Sequence, residues 1–331
     1  MKIVMSLLVA IMATQTNSCL AARFYFTPEE QCTSVDFRQT FPLKMRNQGE
    51  TSWCYANAAS DYLQYTYHLN EQVSAADIAI NYSQTIFSKI VKIFDDLIDP
   101  SERGKPPETG LIAIAVKRII PQGYCPESAL PSDFWNRVSA IDGSQTKEEI
   151  LQSILDTYDL QQKIYTGSIT SAAQMPSYFT FKNINRDQFY EILKNSTHKQ
   201  VLLELREAAC KNERKPFGDT SIGSDFMIRG RHAFQHMSAS FDRGMPVTVD
   251  FADDVFFHYD NPSKKIAGLH TVIVYGRKFD SQSQECQYML KDSHGAQCTR
   301  YDPKIPCENG YLWLPESKLF RAMTSELILY R

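Results

Sequence analysis

The sequence predicts an α+β fold, and three observations carry that expectation. Apolar residues recur at helical spacing through the first part of the chain. β-Branched residues alternate through the last third. Helices and strands are segregated, with no βαβ interleaving. At 331 residues, 43% hydrophobic and 22% charged, the chain holds enough apolar material to bury a large core.

Taken in order, the elements begin after an irregular stretch from Phe24 to Gln48. A helix is expected from Cys54, with Ala58, Ala59, Tyr62, Leu63 and Tyr65 on its apolar face. A second is expected over Phe87 to Ile98, where Phe87, Ile90, Val91, Phe94, Leu97 and Ile98 keep helical spacing. Pro106-Pro107 marks a loop, and a third helix follows Gly110 and stops near Gly123. The middle, about 133–231, is more charged. Thr146 with Glu149 forms a capping box, Asn185 with Gln188 caps the helix carrying Phe189, Ile192 and Leu193, and the glycine-bearing stretch Gly218 to Gly230 reads as loop. Strands follow at Pro246–Phe251, Leu269–Tyr275, Tyr288–Lys291 and Tyr311–Leu314.

The first 22 residues have the three parts of a secretory signal: Lys2, an apolar run from Ile3 to Met12, and a polar stretch ending in Cys19-Leu20-Ala21-Ala22. The run is too short to span a bilayer, and no later segment reads as a membrane anchor. The expected address is therefore secreted or periplasmic. A net charge of −3 without a long basic run argues against nucleic acid as the main partner. Cys19 leaves with the signal. In an exported chain, Cys32, Cys125, Cys210, Cys286, Cys298 and Cys307 form an even set fit for disulfides. Six cysteines allow 15 pairings; Cys298 with Cys307, close in sequence, is the first guess. His232 and His236 stand at helical spacing without a third ligand, so they read as a helix face and no metal site is expected.

Three segments carry chemistry. In Asn47-Gln48-Gly49-Glu50-Thr51-Ser52-Trp53-Cys54-Tyr55, Cys54 stands where a helix begins, and the unsatisfied N–H groups there favour a thiolate. Gln48 on the preceding loop offers an amide donor to an oxyanion, as does the Cys54 backbone N–H. In Gly268-Leu269-His270-Thr271-Val272, a histidine opens an apolar strand and is a candidate base. In Leu290-Lys291-Asp292-Ser293-His294-Gly295, Asp292 ends a strand and can orient the His270 imidazole. Trp53, Tyr55 and His294 are candidate cleft-lining residues.

In this order and spacing the segments resemble the papain-like cysteine peptidases, whose pattern runs Q-G-x-C-G-S-C-W, then N-H-A-V, then K-N-S-W-G leading to N-G-Y. Gln48, Cys54, His270, Lys291-Asp292-Ser293-His294-Gly295 and Asn309-Gly310-Tyr311 take those places. Val35-Asp36-Phe37-Arg38 resembles the start of the mature domain, Val73–Ile78 the L-S-E-Q-E-L segment, and Gly244-Met245-Pro246-Val247 the strand entry before the histidine. The chain departs from the pattern in several places. Thr51 and Asn81 replace both halves of one family disulfide, Asp292 replaces asparagine, and His294 replaces a shielding tryptophan. The interval from Cys54 to His270 exceeds the family's about 130–150 residues, which places an insertion at about 133–231. The stretch before Gln48 leaves no room for the family's long inhibitory propeptide.

The resemblance implies one two-lobed domain over 23–331, with a helical N-terminal lobe, a β-rich C-terminal lobe and the cleft between them. It implies peptide hydrolysis through a thioester by Cys54, His270 and Asp292, without metal or organic cofactor. The expected partner is a peptide or protein substrate, and the insertion is a possible docking surface for another protein. Two alternatives share the fold: an inactive binding module, and an acyltransferase using the same triad.

Overall fold

The computed structural model describes residues 27–49, 53–83, 111–132, 161, 163–164, 166–174, 183–196, 198–218, 222–226, 231–260 and 269–330. The signal stretch, the Phe87–Ile98 helix, the Pro106-Pro107 loop, the Thr146–Glu149 capping box and Thr51 lie outside them.

The fold is α+β. Its helices include α1 (Cys54–Thr66), α2 (Ala75–Ser83), α3 (Ile112–Ile119), α4 (Arg186–Asn195), α5 (His198–Cys210), α6 (Arg231–Asp242) and α7 (Glu316–Ala322). The strands are β1 (Val35–Asp36), β2 (Gly223–Phe226), β3 (Val247–Ala252), β4 (Leu269–Asp280), β5 (Glu285–Lys291), β6 (Cys307–Glu308), β7 (Tyr311–Pro315) and β8 (Met323–Tyr330). They form one sheet in the order β2-β8-β3-β4-β5-β7-β6, with β1 added to β4. Every pairing is antiparallel.

All 13 residues of α1 are buried, because it lies between α2, α3 and the face of β4. A helix so enclosed must satisfy its polar groups internally. Asn57 donates to the Trp53 carbonyl at 2.9 Å, and Asp61 accepts from Arg46 Nε at 2.6 Å and from Lys291 Nζ. Phe37, Tyr65, Phe241 and Tyr275 interlock at the helix–sheet seam, with Phe37–Tyr65 at 5.4 Å and Tyr65–Tyr275 at 5.7 Å. Edge-on aromatic pairs of this kind each add about 0.5–1.5 kcal/mol beyond their buried area.

The expected helices at Cys54 and after Gly110 are present, as is the Asn185–Gln188 cap on α4, with both reciprocal bonds made. The four expected strands stand within a few residues of their anticipated ends, except that β4 runs on to Asp280. His232 and His236 lie on α6. One stretch differs. Within the expected loop Gly218 to Gly230, Gly223–Phe226 is a strand, paired with β8 at the far end of the chain. Its Gly-Ser-Asp-Phe composition has low strand propensity, so the pairing partner imposes the conformation.

The described part of 133–231 shares the main core, to which Ile184, Phe189, Leu193 and Leu205 belong. It is fastened to the helical lobe. Fully buried Asp77 on α2 accepts from Arg206 Nε at 2.6 Å and Arg214 at 2.8 Å, and Cys125 is bonded to Cys210. Cys32 pairs with Cys286, and Cys298 with Cys307 as first guessed. Cys54 is a free thiol. Non-reducing peptide mapping of the folded protein should recover these three pairs, with Cys54 alkylated. Cys54 in a bridge would contradict the arrangement. Among the described residues no helix is long and apolar enough to cross a membrane.

Candidate active site

Cys54 is the first residue of α1 and is nearly buried. The N-cap, Trp53, supplies no side-chain acceptor to the helix amides. Their partial positive charge is left to favour an anion at this mouth, by about 0.3–1 kcal/mol or somewhat more when partly buried. Against the mouth stands His270, the second residue of β4, held in register opposite Phe251 of β3.

The imidazole is fixed at both ends. His270 Nε2 donates to Asp292 Oδ1 at 2.6 Å, and the Cys54 thiol is hydrogen-bonded to the same ring, for which Nδ1 remains. Phe251 and Phe256 pack edge-on to it at 5.7 and 6.2 Å. Burial opposes charge on His270, but the Asp292 carboxylate and the bond to Cys54 outweigh it and hold the imidazole well above its ordinary value. The imidazolium needed beside a thiolate is thereby stabilised.

Asp292, the residue after β5, is completely buried. It accepts from His270, from Ser293 N at 2.7 Å, from Tyr301 Oη at 2.6 Å and from His294 Nδ1 at 3.0 Å. Burial alone would raise its pKa. The charges and hydrogen bonds of His270 and His294 hold it well below the carboxylate range. Tyr301 is pushed up by burial and by the Asp292 charge, so it stays a hydroxyl donor.

The third piece is Gln48. Its loop forms a short antiparallel clip with the loop after β5: Gly295 N donates to the Arg46 carbonyl at 2.8 Å, and Gln48 N to the Ser293 carbonyl at 2.7 Å. Gly310, at φ 81°, closes the back of this clip. A Cβ there would collide with the Gly295 carbonyl oxygen, so the turn Asn309-Gly310 admits no side chain at its second position.

Cys54, His270 and Asp292 are thus brought together, and Gln48 is tied to Ser293, the residue after Asp292. One candidate cleft residue is revised. Tyr55 is 2% exposed and its ring packs on Tyr82 at 5.0 Å, so it belongs to the core and lines no cleft. Trp53 is the helix N-cap, directly before Cys54, and is about as exposed as that thiol. His294 is more than a shield: it stacks on His270 at 5.1 Å and shares Asp292 with it. Sequence reasoning missed Tyr301 and Asp253. Asp253 is a half-buried carboxyl just past β3, raised by burial against the pull of His270 and His294. The order Asp292-x₈-Tyr301 carries no local signal for the first, and an acidic pair at a strand end reads as a turn for the second.

His270, Asp292 and His294 can each bring one donor atom within 4.8 Å of the others. The two rings stack at 26°, and both turn a nitrogen to the Asp292 carboxylate, His270 Nε2 at 2.6 Å and His294 Nδ1 at 3.0 Å. The arrangement is suited to passing and holding protons.

Asn81, at the position of the family's second disulfide cysteine, bonds through its amide to Gln122 at 2.9 Å. No protein-family model matches this chain, and no curated protein matches it. Among solved structures it is similar to digestive procathepsin L 3 of Tenebrio molitor larval midgut, at 14% identity over 94% of this chain and 72% of that one, with a TM-score of 0.45. It is also similar to the bromelain protease of Ananas comosus in complex with the E64 inhibitor, at 15% identity over 92% and 98%, with a TM-score of 0.46. A recombinant stem bromelain precursor matches at 13% identity over 94% and 75%, with a TM-score of 0.47.

Proposed function

We propose that this chain is a papain-like cysteine peptidase that cleaves peptide bonds through a thioester. The observation that carries the reading is the unbroken line from the Cys54 thiol at a helix mouth through His270 to a buried, ionised Asp292. His270 takes the thiol proton, and Cys54 Sγ attacks the scissile carbonyl carbon. The Cys54 backbone N–H and the Gln48 amide receive the charge that develops on the carbonyl oxygen. His270 passes its proton to the leaving amine, and the C–N bond breaks to leave a thioester. It then takes a proton from water, which attacks the thioester and releases the acid and the thiol. Asp292 holds the ring in the tautomer both halves require.

We further propose that the protein is exported. The three disulfides fit an oxidising compartment, as the signal-like first 22 residues require.

The test is intact-mass measurement after exposure to a thiol-directed peptidyl epoxide. One adduct is expected on the native protein and none on Cys54→Ala. Absence of an adduct on the native protein would favour a binding module and overturn the reading. Product analysis with added amine separates hydrolysis from acyl transfer: a predominant amide product would make the chain a transferase. Gln48→Ala should lower kcat by about 10²–10³-fold, as loss of one oxyanion donor does, with a much smaller change in KM. An unchanged kcat would remove Gln48 from the site.

A further inference from the structure

Glu316 is a buried carboxyl that the proposed chemistry does not use. It opens α7, is 2% exposed, and makes no ion pair among the described residues. Its hydrogen bonds come from Thr27, near the other end of the chain, whose backbone nitrogen lies 3.2 Å from Oε1 and 3.2 Å from Oε2. Glu285, which accepts from Ser317 N at 3.1 Å, adds a second negative charge beside it. Burial raises the Glu316 pKa, Thr27 pulls it down and Glu285 adds to the rise. A carboxylate taken this far from water needs a cation or must take a proton. One amide N–H shared between two oxygens is a neutral donor and meets neither need.

We propose that the chain is trimmed to Thr27 and that Glu316 receives the new α-ammonium. The nitrogen already stands equidistant from both carboxylate oxygens. An ammonium has three N–H groups where the amide has one, so it can bond each oxygen separately and bring the missing positive charge. The next residue favours the same end point. Pro28 has no N–H, and its tertiary amide stalls enzymes that remove residues one at a time from a free N-terminus. Trimming after removal of a signal ending at Ala22 would take Arg23, Phe24, Tyr25 and Phe26 and stop at Thr27. In the last step water adds across the Phe26–Thr27 bond. Its hydroxyl goes to the Phe26 carbonyl carbon and its proton to the Thr27 nitrogen, and the freed amine takes one more proton from solvent. The ion pair then ties the N-terminal residue to α7. The inference needs neither Cys54 nor peptide turnover, so it stands apart from the peptidase reading.

N-terminal sequencing and intact mass of the exported protein should give a chain that begins at Thr27. Any earlier start would overturn the proposal, and a start at Arg23 would do so while leaving export standing. A second measurement tests the pairing itself. An α-ammonium held by a carboxylate keeps its proton above its ordinary pKa of about 8. At about pH 8 an amine-directed acylating reagent should therefore modify Thr27 of the folded protein at least about tenfold more slowly than Thr27 of the same protein unfolded. Equal rates would overturn the pairing. Glu316→Gln should restore fast acylation in the folded state. It should also lower the melting temperature by about 2–5 °C, the scale of one charge-assisted hydrogen bond in a chain of this size. Continued protection of Thr27 in folded Glu316→Gln would overturn the assignment to that carboxylate. If the variant does not fold, the folded-against-unfolded comparison on the native protein still decides.

Discussion

His270→Ala should lower turnover by about 10⁴-fold, at the upper end of what a general base contributes, and should abolish rapid epoxide labelling of Cys54. The expectation follows from position. His270 is bonded to the thiol on one side and to Asp292 on the other, and Phe251 and Phe256 wall it from solvent. His294→Ala should change turnover by no more than about tenfold, the scale of one hydrogen bond. Asp292 then keeps His270, Tyr301 and the Ser293 N–H as donors. The two rings stack and share one carboxylate, so the comparison is decisive. If His294→Ala silenced Cys54 while His270→Ala only lowered the melting temperature, the base would be His294 and His270 a core histidine.

The second large effect is at Asp292. Asp292→Ala should lower kcat by about 10³-fold, because His270 loses the partner that fixes its ring. It should also cost about 3–5 kcal/mol of stability, since a buried pair is broken and the donors of His270, His294 and Tyr301 are left facing a void. Asp292→Asn restores the residue usual in the resembled family and should keep substantial activity. Without the negative charge, imidazolium is less favoured, so the basic limb of the pH–rate profile should move to lower pH. Stability follows the same sign. The Asp292 pKa is held below its unfolded value, so its contribution is present above about pH 4 and fades as pH falls toward the depressed value. The His270 pKa is raised, so its contribution is full below about pH 6.5 and fades as pH climbs through the raised value. Melting temperature against pH should lose both dependences in Asp292→Asn. An unshifted kinetic limb and an unchanged stability profile would show that Asp292 does not govern the charge on His270.

The residues of the proposed site are legible where they sit in short, self-contained motifs. A thiol at a helix start, a histidine opening an apolar strand and a carboxylate closing another are local patterns, and Cys54, His270 and Asp292 stand as those patterns require. What escaped depends on pieces of chain distant from one another. Tyr301 reaches Asp292 across a loop and a stretch of irregular backbone, and a tyrosine in a loop gives no hint of its hydrogen bond. The strand Gly223–Phe226 exists because β8 supplies its backbone partners from the end of the chain. The short disulfide could be guessed from the nearness of Cys298 and Cys307. Nothing in the spacing joins Cys32 to Cys286 or Cys125 to Cys210. Tyr55 reads as cleft-lining only because it follows Cys54 in sequence, whereas a helix turns successive side chains about 100° apart and sends this one to Tyr82.

The bridge between Cys125 and Cys210 spans most of the stretch 133–231, and the bridge between Cys32 and Cys286 spans the whole of it. A protease that nicked the backbone anywhere from 133 to 160 would therefore release nothing. Both fragments would stay stapled twice, and the Asp77 contacts to Arg206 and Arg214 would add ion pairs between them. Such a nick would pass as one band on a gel without reductant and as two with it. A two-chain form of this protein would have the same covalent mass as the single chain plus one water.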